Sequence, residues 1–207
     1  MDYISVIFCV LAYLLGSIPT AVWLGKIRYG IDVREHGSKN AGATNTFRVL
    51  GKKPGIIVLI VDIVKGAIST FLPVSMQLIN DEDILIQTQI LCAVFAVLGH
   101  VLPVFAGFKG GKGVATSLGV IIGLQPNAAL ICFLIFLLVF ISSKYVSLGA
   151  IVASVSFPIV IRFVVGCESN WLFVFSIILG TLVILAHRKN IRRLLNGEEN
   201  KMNLFKK

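Results

Sequence analysis

Three short polar segments, rich in glycine and cationic side chains, interrupt an otherwise apolar chain. They comprise residues 37–48, 108–117 and 187–193, called here the first, second and third polar segments. Glycine lets a backbone approach a ligand closely, Ser, Thr and Asn supply hydrogen-bonding groups, and Arg can grip a phosphate with two parallel hydrogen bonds. We therefore expect the three segments to hold phosphate groups.

The second polar segment contains the run Lys109-Gly110-Gly111-Lys112-Gly113, which superficially resembles a nucleotide-binding phosphate loop. It departs from that pattern because Gly113 follows Lys112 where Ser or Thr should stand, and because no strand is expected before it. What remains is a glycine turn that leads into the amino terminus of a helix. Free N–H groups and the helix dipole at such a position favour an anion.

His187 begins the third polar segment, where the last apolar run ends. A histidine at the end of a span is ordinarily an interfacial residue, but Asn190 follows one turn later on the same helical face. No spacing typical of a Ser/His/Asp triad or of a metal site is present. The four cysteines lack paired spacing, and we interpret them as packing residues. The sequence therefore predicts neither a metal nor a cofactor.

Composition places the chain among integral membrane proteins. Its mean hydropathy is +0.91, and 14% of its residues are charged, against roughly 25% in an average soluble domain. The net charge of +9 does not indicate nucleic-acid binding, because most cations flank apolar runs. An apolar run begins almost at Met1 without a basic region before it, so we expect no cleaved signal peptide.

The apolar runs predict the number of membrane spans. A span needs about 20 apolar residues, and five runs have the length of single helices. A sixth, residues 114–142, is too long for one span and is interrupted at Pro126, which should end one helix and open the next. The five single runs are residues 3–25, 55–75, 84–106, 147–166 and 170–186.

The distribution of cations predicts the topology. All Lys and Arg except Lys65 and Arg162 lie in residues 26–53, 109–112, 144 and 188–207, which the positive-inside rule places in the cytoplasm. Seven transmembrane helices satisfy this arrangement, with the amino terminus outside and the carboxyl terminus cytoplasmic. All three polar segments then face the cytoplasm. We expect an all-α integral membrane protein with a single domain over residues 1–207.

Two features inside the predicted spans have alternative interpretations. Asp62 and Lys65 stand one helical turn apart, so they form either a structural ion pair facing the bundle or a functional site. Gly119 and Gly123 form a small-residue pair that favours close contact with a neighbouring helix.

The three segments together resemble the bacterial acyl-phosphate-dependent glycerol-3-phosphate acyltransferases, the PlsY family. The matching motifs are residues 37–48, residues 99–116 with the Lys-Gly-Gly-Lys-Gly core, and residues 187–195 followed by Gly197 and Glu199. The similarity covers nearly the whole chain, including Ser147-Leu148-Gly149 and Asp62 to Gly66. Lys39 stands where the family more often has glycine.

The resemblance implies a seven-helix enzyme of the bacterial cell membrane with its active site open to the cytoplasm. It would transfer an acyl group from acyl phosphate to the 1-hydroxyl of glycerol 3-phosphate, giving lysophosphatidate and phosphate, and would function as a monomer. Glu199 would be structural. The implied catalytic residues are Ser38, Arg48, Lys112, His187 and Asn190, and the implied substrate-binding residues are Asn40, Thr44, Asn45, Lys109, Gly110, Gly111, Gly113 and Ser147.

The chemistry of an acyl phosphate is compatible with these residue types. The donor is an activated mixed anhydride, so no covalent nucleophile is required, and cations would stabilise the charge on the leaving phosphate. Holding the hydroxyl against the acyl carbon would supply the entropic part of catalysis. Either His187 or a substrate phosphate oxygen could accept the hydroxyl proton.

Two other classes of protein fit the sequence less well. Acyltransferases that use acyl-CoA or acyl carrier protein need an aspartate five residues after a histidine, but the residues at that spacing are Ala41, Phe105 and Arg192. A transporter needs a polar site near the bilayer midplane, whereas the polar segments cluster on one predicted face.

Overall fold

The computed structural model describes residues 3–202. Within them the chain forms ten α-helices, a short 3-10 turn (Val104–Ala106) and a π-helical turn (Val160–Val164). The all-helical class expected from the sequence is therefore found. The helices are α1 (Tyr3–Gly16), α2 (Thr20–Tyr29), α3 (Ala43–Leu50), α4 (Lys52–Met76), α5 (Glu82–Val101), α6 (Val114–Leu124), α7 (Pro126–Ser143), α8 (Val146–Ile159), α9 (Asn170–Ala186) and α10 (Arg188–Leu195).

The chain divides into two compact units, Met1–Leu124 and Gln125–Lys207, each of which is described by itself. In the first unit α4 is central and packs against α1, α3, α5 and α6. In the second unit α8 packs against α7, α9 and α10. The first unit thus carries the first two polar segments, and the second unit carries the third. The single domain expected over residues 1–207 stays a prediction.

Several helices within the described residues are long and apolar enough to cross a membrane. Five such stretches are Tyr3–Tyr29, Lys52–Met76, Glu82–Ala106, Pro126–Ser143 and Val146–Val164. The pair α9 and α10, bent by 61°, makes a sixth if it is taken as one span, and α6 is a shorter apolar helix. Seven crossings and the orientation of the termini stay predictions.

Two helix breaks show how proline divides the apolar runs. α6 ends at Leu124 and α7 begins at Pro126, as predicted, since a proline in the first turn needs no N–H partner. The run of residues 3–25, expected as one helix, belongs to one candidate span, Tyr3–Tyr29, but the helix within it is interrupted. α1 ends at Gly16 and α2 begins at Thr20, because Pro19 has no N–H to donate to the preceding turn.

Glycines bring α4 and α6 into close contact in the first unit. A β-carbon on Gly119 would overlap the Ile63 carbonyl, and one on Gly123 would overlap the Thr70 hydroxyl. A β-carbon on Gly66 of α4 would likewise overlap the Thr116 carbonyl. The predicted small-residue contact is confirmed, and it fixes α6 against the central helix directly after the second polar segment.

Candidate active site

Asn45 organises the first polar segment. Its side chain is 1% exposed and lies in the first turn of α3. The amide nitrogen donates to the carbonyls of Val33 at 2.7 Å, His36 at 3.1 Å and Asn40 at 3.0 Å. The amide oxygen accepts the Ser38 N–H at 2.8 Å. Substrate binding by Asn45 stays a prediction, and in this conformation its amide shapes the loop.

The remaining predicted residues of this segment lie nearer the surface. Ser38 and Arg48 are exposed, and Asn40 and Thr44 are partly exposed. Arg48 lies in the last turn of α3, with its aliphatic chain beside Gly37. Its guanidinium forms no hydrogen bond or ion pair within residues 3–202. It is therefore accessible to an anionic ligand.

Two residues of the first polar segment adopt the left-handed backbone conformation. Gly37 has φ +58° and Lys39 also has φ +58°. Glycine adopts this region without strain, whereas a β-carbon disfavours it. The backbone therefore gives a physical reason for glycine at the position that Lys39 occupies.

The second polar segment forms a turn that packs on the end of α5. The Gly110 N–H donates to the Val101 carbonyl at 3.2 Å, and the Gly111 N–H donates to the His100 carbonyl at 3.1 Å. These two donors are therefore engaged and do not face an anion in this conformation. α6 begins directly after Gly113, which has φ +80°, so the turn leads into a helix amino terminus as predicted.

The two lysines of this segment differ in exposure. Lys109 is exposed and Lys112 is partly buried, two residues before α6 begins. Lys112 is thus placed near the amino terminus of the helix, where the dipole favours negative charge. The positive charge of the Lys112 side chain would further favour an anion at this position.

Arg34 connects the loop before the first polar segment to the second polar segment. Its guanidinium donates to the carbonyls of Ala106 at 2.8 Å and Lys109 at 3.3 Å. Asp32 accepts two further guanidinium hydrogen bonds at 3.0 and 2.8 Å, and Lys26 lies 3.2 Å from the same carboxylate. Sequence reasoning missed this connection, although an Asp-x-Arg pair beside a glycine-rich loop was a usable signal.

The Asp32–Arg34 pair is electrostatically well matched. Hydrogen bonds from the Arg34 side chain, despite partial burial, hold the pKa of Asp32 well below its ordinary value. The Asp32 carboxylate in turn raises the pKa of Arg34. Both groups therefore stay charged, which keeps the two loops connected at neutral pH.

One small cavity borders both polar segments of the first unit. Ala41 of the first segment and Gly110 and Gly111 of the second contribute to its wall. Its ionisable wall residues are Asp62, Lys65 and His100. Asp62 and Lys65 form the expected ion pair, at 2.8 Å. The approach of His100 to Asp62 was not predicted, because the two residues are far apart in sequence.

In the second unit, His187 lies at the junction of α9 and α10. Its side chain is buried, and Nδ1 lies 2.8 Å from the Val183 carbonyl oxygen. A carbonyl only accepts hydrogen bonds, so in this geometry Nδ1 carries a proton. Asn190 is also buried, and the common face of the two residues stays a prediction.

Glu199 forms hydrogen bonds with two predicted residues of the second unit, Ser147 and Asn190. Its Oε1 accepts hydrogen bonds from Ser147 Oγ at 2.9 Å and Asn190 Nδ2 at 2.7 Å. Its Oε2 accepts the Arg193 Nε–H at 2.7 Å. Burial would raise the pKa of Glu199, but the hydrogen bonds from Arg193, Asn190 and Ser147 together hold that pKa below its ordinary value. Glu199 thereby joins the start of α8 to α10.

The residues assigned from the sequence therefore fall into two groups. In the first unit, the first and second polar segments border the same cavity. In the second unit, Ser147 and Asn190 meet at Glu199. Among residues 3–202, no three His, Cys, Asp or Glu side chains lie close enough together to hold a metal ion.

Comparison with known proteins gives consistent matches over almost the whole chain. The family model described as glycerol-3-phosphate acyltransferase matches residues 6–197. A glycerol-3-phosphate acyltransferase of Fusobacterium nucleatum is 45% identical over 194 residues, which cover 94% of this chain and 96% of the relative.

Two crystal structures of PlsY, an integral membrane glycerol 3-phosphate acyltransferase, are similar in sequence and in fold. The glycerol 3-phosphate form is 39% identical, with a TM-score of 0.87 over 98% of this chain and 99% of that one. The lysophosphatidic acid form is 39% identical, with a TM-score of 0.83 over 96% and 95% of the two chains. The chain therefore belongs to the glycerol-3-phosphate acyltransferase family, as an integral membrane transferase of phospholipid biosynthesis.

Proposed function

We propose that this protein transfers a fatty acyl group from acyl phosphate to the 1-hydroxyl of glycerol 3-phosphate. The products are 1-acylglycerol 3-phosphate and inorganic phosphate. The observation that carries the acceptor and product is the match, over nearly the whole chain, to PlsY structures in glycerol 3-phosphate and lysophosphatidic acid forms. The acyl phosphate donor is what the resemblance to the PlsY family implies, and the cations and hydrogen-bond donors of the polar segments are compatible with it.

The proposed reaction is a direct transfer. The 1-hydroxyl oxygen bonds to the acyl carbon, the bond from that carbon to the phosphate oxygen breaks, and phosphate leaves with the bonding electrons. The hydroxyl proton passes to His187 Nε2 or to a phosphate oxygen of a substrate. Direct transfer is supported by the surroundings of Ser38, because within residues 3–202 no imidazole or carboxylate hydrogen-bonds its hydroxyl, as an activated serine nucleophile requires.

Arg48 and Lys112 are the proposed phosphate ligands. Arg48 is exposed and its guanidinium has no partner within residues 3–202. Its N–H groups are therefore available to bind a phosphate with two parallel hydrogen bonds. Lys112 lies beside the amino terminus of α6, where two sources of positive potential coincide. Together they would offset the repulsion between two anionic substrates and stabilise charge on the leaving phosphate.

The other assigned residues have supporting roles in this proposal. His187 and Asn190 act from the third polar segment, and Asn190 and Ser147 are oriented by Glu199. The first two polar segments supply the other proposed substrate-binding residues, which are Asn40, Thr44, Asn45, Lys109, Gly110, Gly111 and Gly113. The acyl chain stays among apolar side chains at the membrane. In this proposal the enzyme acts as a monomer.

The proposed topology has seven crossings. It counts α6 as a short crossing and α9 as a full one, with the amino terminus outside and the carboxyl terminus in the cytoplasm. The cation distribution supports it, since the loops 80–83 and 167–170 contain no Lys or Arg. The three polar segments would then act from the cytoplasmic face of the bacterial membrane.

The decisive experiment measures phosphate release from palmitoyl phosphate by the purified protein, with and without glycerol 3-phosphate. Release that depends on glycerol 3-phosphate and matches lysophosphatidate formation is expected. Palmitoyl-CoA is supplied in parallel as the alternative donor. Lysophosphatidate formation from palmitoyl-CoA, without turnover of palmitoyl phosphate, contradicts the proposed donor.

A further inference from the structure

Three ionisable side chains that the proposed chemistry does not use lie buried together in the first unit. Asp62 and Lys65 of α4 form an ion pair at 2.8 Å, and Nδ1 of His100 on α5 lies 3.6 Å from the same Asp62 oxygen. Their side chains are 3%, 4% and 6% exposed. Ionisable groups inside a membrane protein are costly to bury and ordinarily serve a function.

The cluster connects three elements of the first unit. Lys65 Nζ donates to the Ile18 carbonyl at 2.9 Å, in the break between α1 and α2. Thr20, at the start of α2, donates its hydroxyl to Asp62 Oδ1 at 3.5 Å. Asp62 therefore lies at a point where α4, the start of α2 and the end of α5 meet.

His100 extends the cluster to the glycine turn of the second polar segment. Its Nδ1 faces Asp62, and its Nε2 packs so closely on Gly111 that a β-carbon there would overlap it. The His100 carbonyl accepts the Gly111 N–H at 3.1 Å, and a β-carbon on Gly110 would overlap that carbonyl. Both the ring and the main chain of His100 thus hold the turn, whose next residue is Lys112.

We propose that Asp62, Lys65 and His100 are positioning residues for acyl transfer. The ion pair orients the His100 ring, the ring holds Gly110 and Gly111 in place, and the turn directs Lys112. This inference rests on the proposed role of Lys112 as a phosphate ligand. A ligand misplaced by about 1 Å can lower the rate roughly a hundredfold, so the cluster acts on substrate affinity and rate as well as on packing.

The test replaces His100 with phenylalanine, which keeps a buried ring and removes both nitrogens. His100→Phe is expected to insert in the membrane and fold, to raise KM for at least one phosphate-bearing substrate, and to lower kcat/KM about ten- to a hundredfold. A purely structural effect would reduce the amount of folded enzyme, which lowers Vmax and leaves both KM values unchanged. The KM values therefore distinguish positioning from stability.

Gln89→Leu is the matched control. Gln89 is buried on α5 and donates to the Thr70 carbonyl on α4 at 2.9 Å, so it bridges the same two helices without touching the turn. Both KM values of this variant should equal those of the wild type. A rise in KM in Gln89→Leu as large as that in His100→Phe contradicts the positioning role.

The double variant Asp62→Asn/Lys65→Met tests the ion pair without leaving an uncompensated buried charge. It should raise the same KM as His100→Phe, because the ring loses its ionic partner. Unchanged KM values in both variants contradict the inference. Turnover of acyl phosphate by the wild-type protein is measured first, and no turnover there contradicts the proposed function itself. If the wild type is active and both variants keep its KM values, only the positioning role is contradicted.

Discussion

At the scale of single residues, exposure separates the side chains available to a ligand from those that shape the loops. Arg48 and Ser38 are exposed, whereas Asn45 is buried and donates three hydrogen bonds to loop carbonyls. The resemblance to the family implied all three as site residues. It could not divide them by task, because that division depends on which way each side chain turns in the folded chain.

Arg48→Ala and Lys112→Ala are expected to abolish activity while leaving a folded, membrane-inserted protein. Each substitution removes a proposed phosphate contact, with a loss of about 3 kcal/mol in the transition state. Arg48→Lys should also be poor, since a point charge cannot reproduce the guanidinium fork. Initial rates of phosphate release test this, with Lys52→Ala as the control for loss of an exposed cation on the following helix. Turnover near the wild-type rate in either alanine variant would exclude that residue from the site.

Ser38 is predicted to be a hydrogen-bonding ligand and not an acylated nucleophile. Ser38→Ala should lose most activity because it leaves developing charge unsatisfied, and Ser38→Thr should retain part of it. Incubation with radiolabelled acyl phosphate alone should give no labelled protein after denaturation, and the kinetics should be sequential. A stable adduct at Ser38, formed before glycerol 3-phosphate is added, would require a two-step mechanism.

Lys39 offers a test of backbone strain in the first polar segment. Its φ of +58° disfavours a residue with a β-carbon by about 1 kcal/mol. Lys39→Gly should therefore raise the melting temperature in detergent without lowering activity. Lys39→Ala is the control, because it removes the charge and keeps the β-carbon. Equal melting temperatures for the glycine and alanine variants would show that the loop carries no such strain.

At the scale of helices, the sequence predicts helix boundaries that depend on local residues, but it does not predict contacts between residues far apart in the chain. Pro126 marked a helix boundary correctly because proline acts on its own and the preceding turn. Pro19 carried the same signal, but the apolar residues on both sides suggested one continuous helix. The contacts of Arg34 with Ala106 and Lys109 and of His100 with Asp62 join residues far apart in sequence. No spacing rule reveals such contacts.

Glu199 is predicted to connect α8 and α10 through its charge. Its pKa is held below the ordinary value, so the folded state favours the carboxylate. The stabilisation of the folded state by the Glu199 carboxylate is fully present above the unfolded pKa of about 4.3. It is lost as the pH falls through the lower pKa of the folded state. Glu199→Gln should cost about 2 kcal/mol at neutral pH, since charged hydrogen bonds are lost.

Melting temperatures in detergent between pH 7 and pH 3 test this linkage. The wild type should lose stability below about pH 4.3 more steeply than Glu199→Gln, since other carboxylates titrate in both proteins. Parallel curves for the two proteins would show that Glu199 is not the group responsible.

At the scale of the whole molecule, composition gave the membrane class, and the three motifs gave the family. Hydropathy alone did not settle the number of crossings. α6 has 11 residues, and a helix of that length is short for a bilayer whose apolar core is about 30 Å thick. Charge distribution decides the predicted topology instead.

The topology prediction is tested by cysteine labelling in sealed vesicles. Asp83→Cys and Lys144→Cys should react from opposite sides, with residue 83 outside and residue 144 in the cytoplasm. A background without native cysteines serves as the control. Labelling of both positions from the same side would rule out seven crossings.

The ion pair on α4 also bears on how the chain is made. A single charge at the centre of a helix raises the cost of insertion by about 2.5–3.5 kcal/mol. Asp62 and Lys65 are three residues apart on one helix, so they can neutralise each other before any other helix is present. When α4 enters the translocon, Asp62 and Lys65 therefore form a neutral ion pair and are not two separate charges. α4 can enter the bilayer as it is synthesised, and His100 joins the pair only when α5 follows.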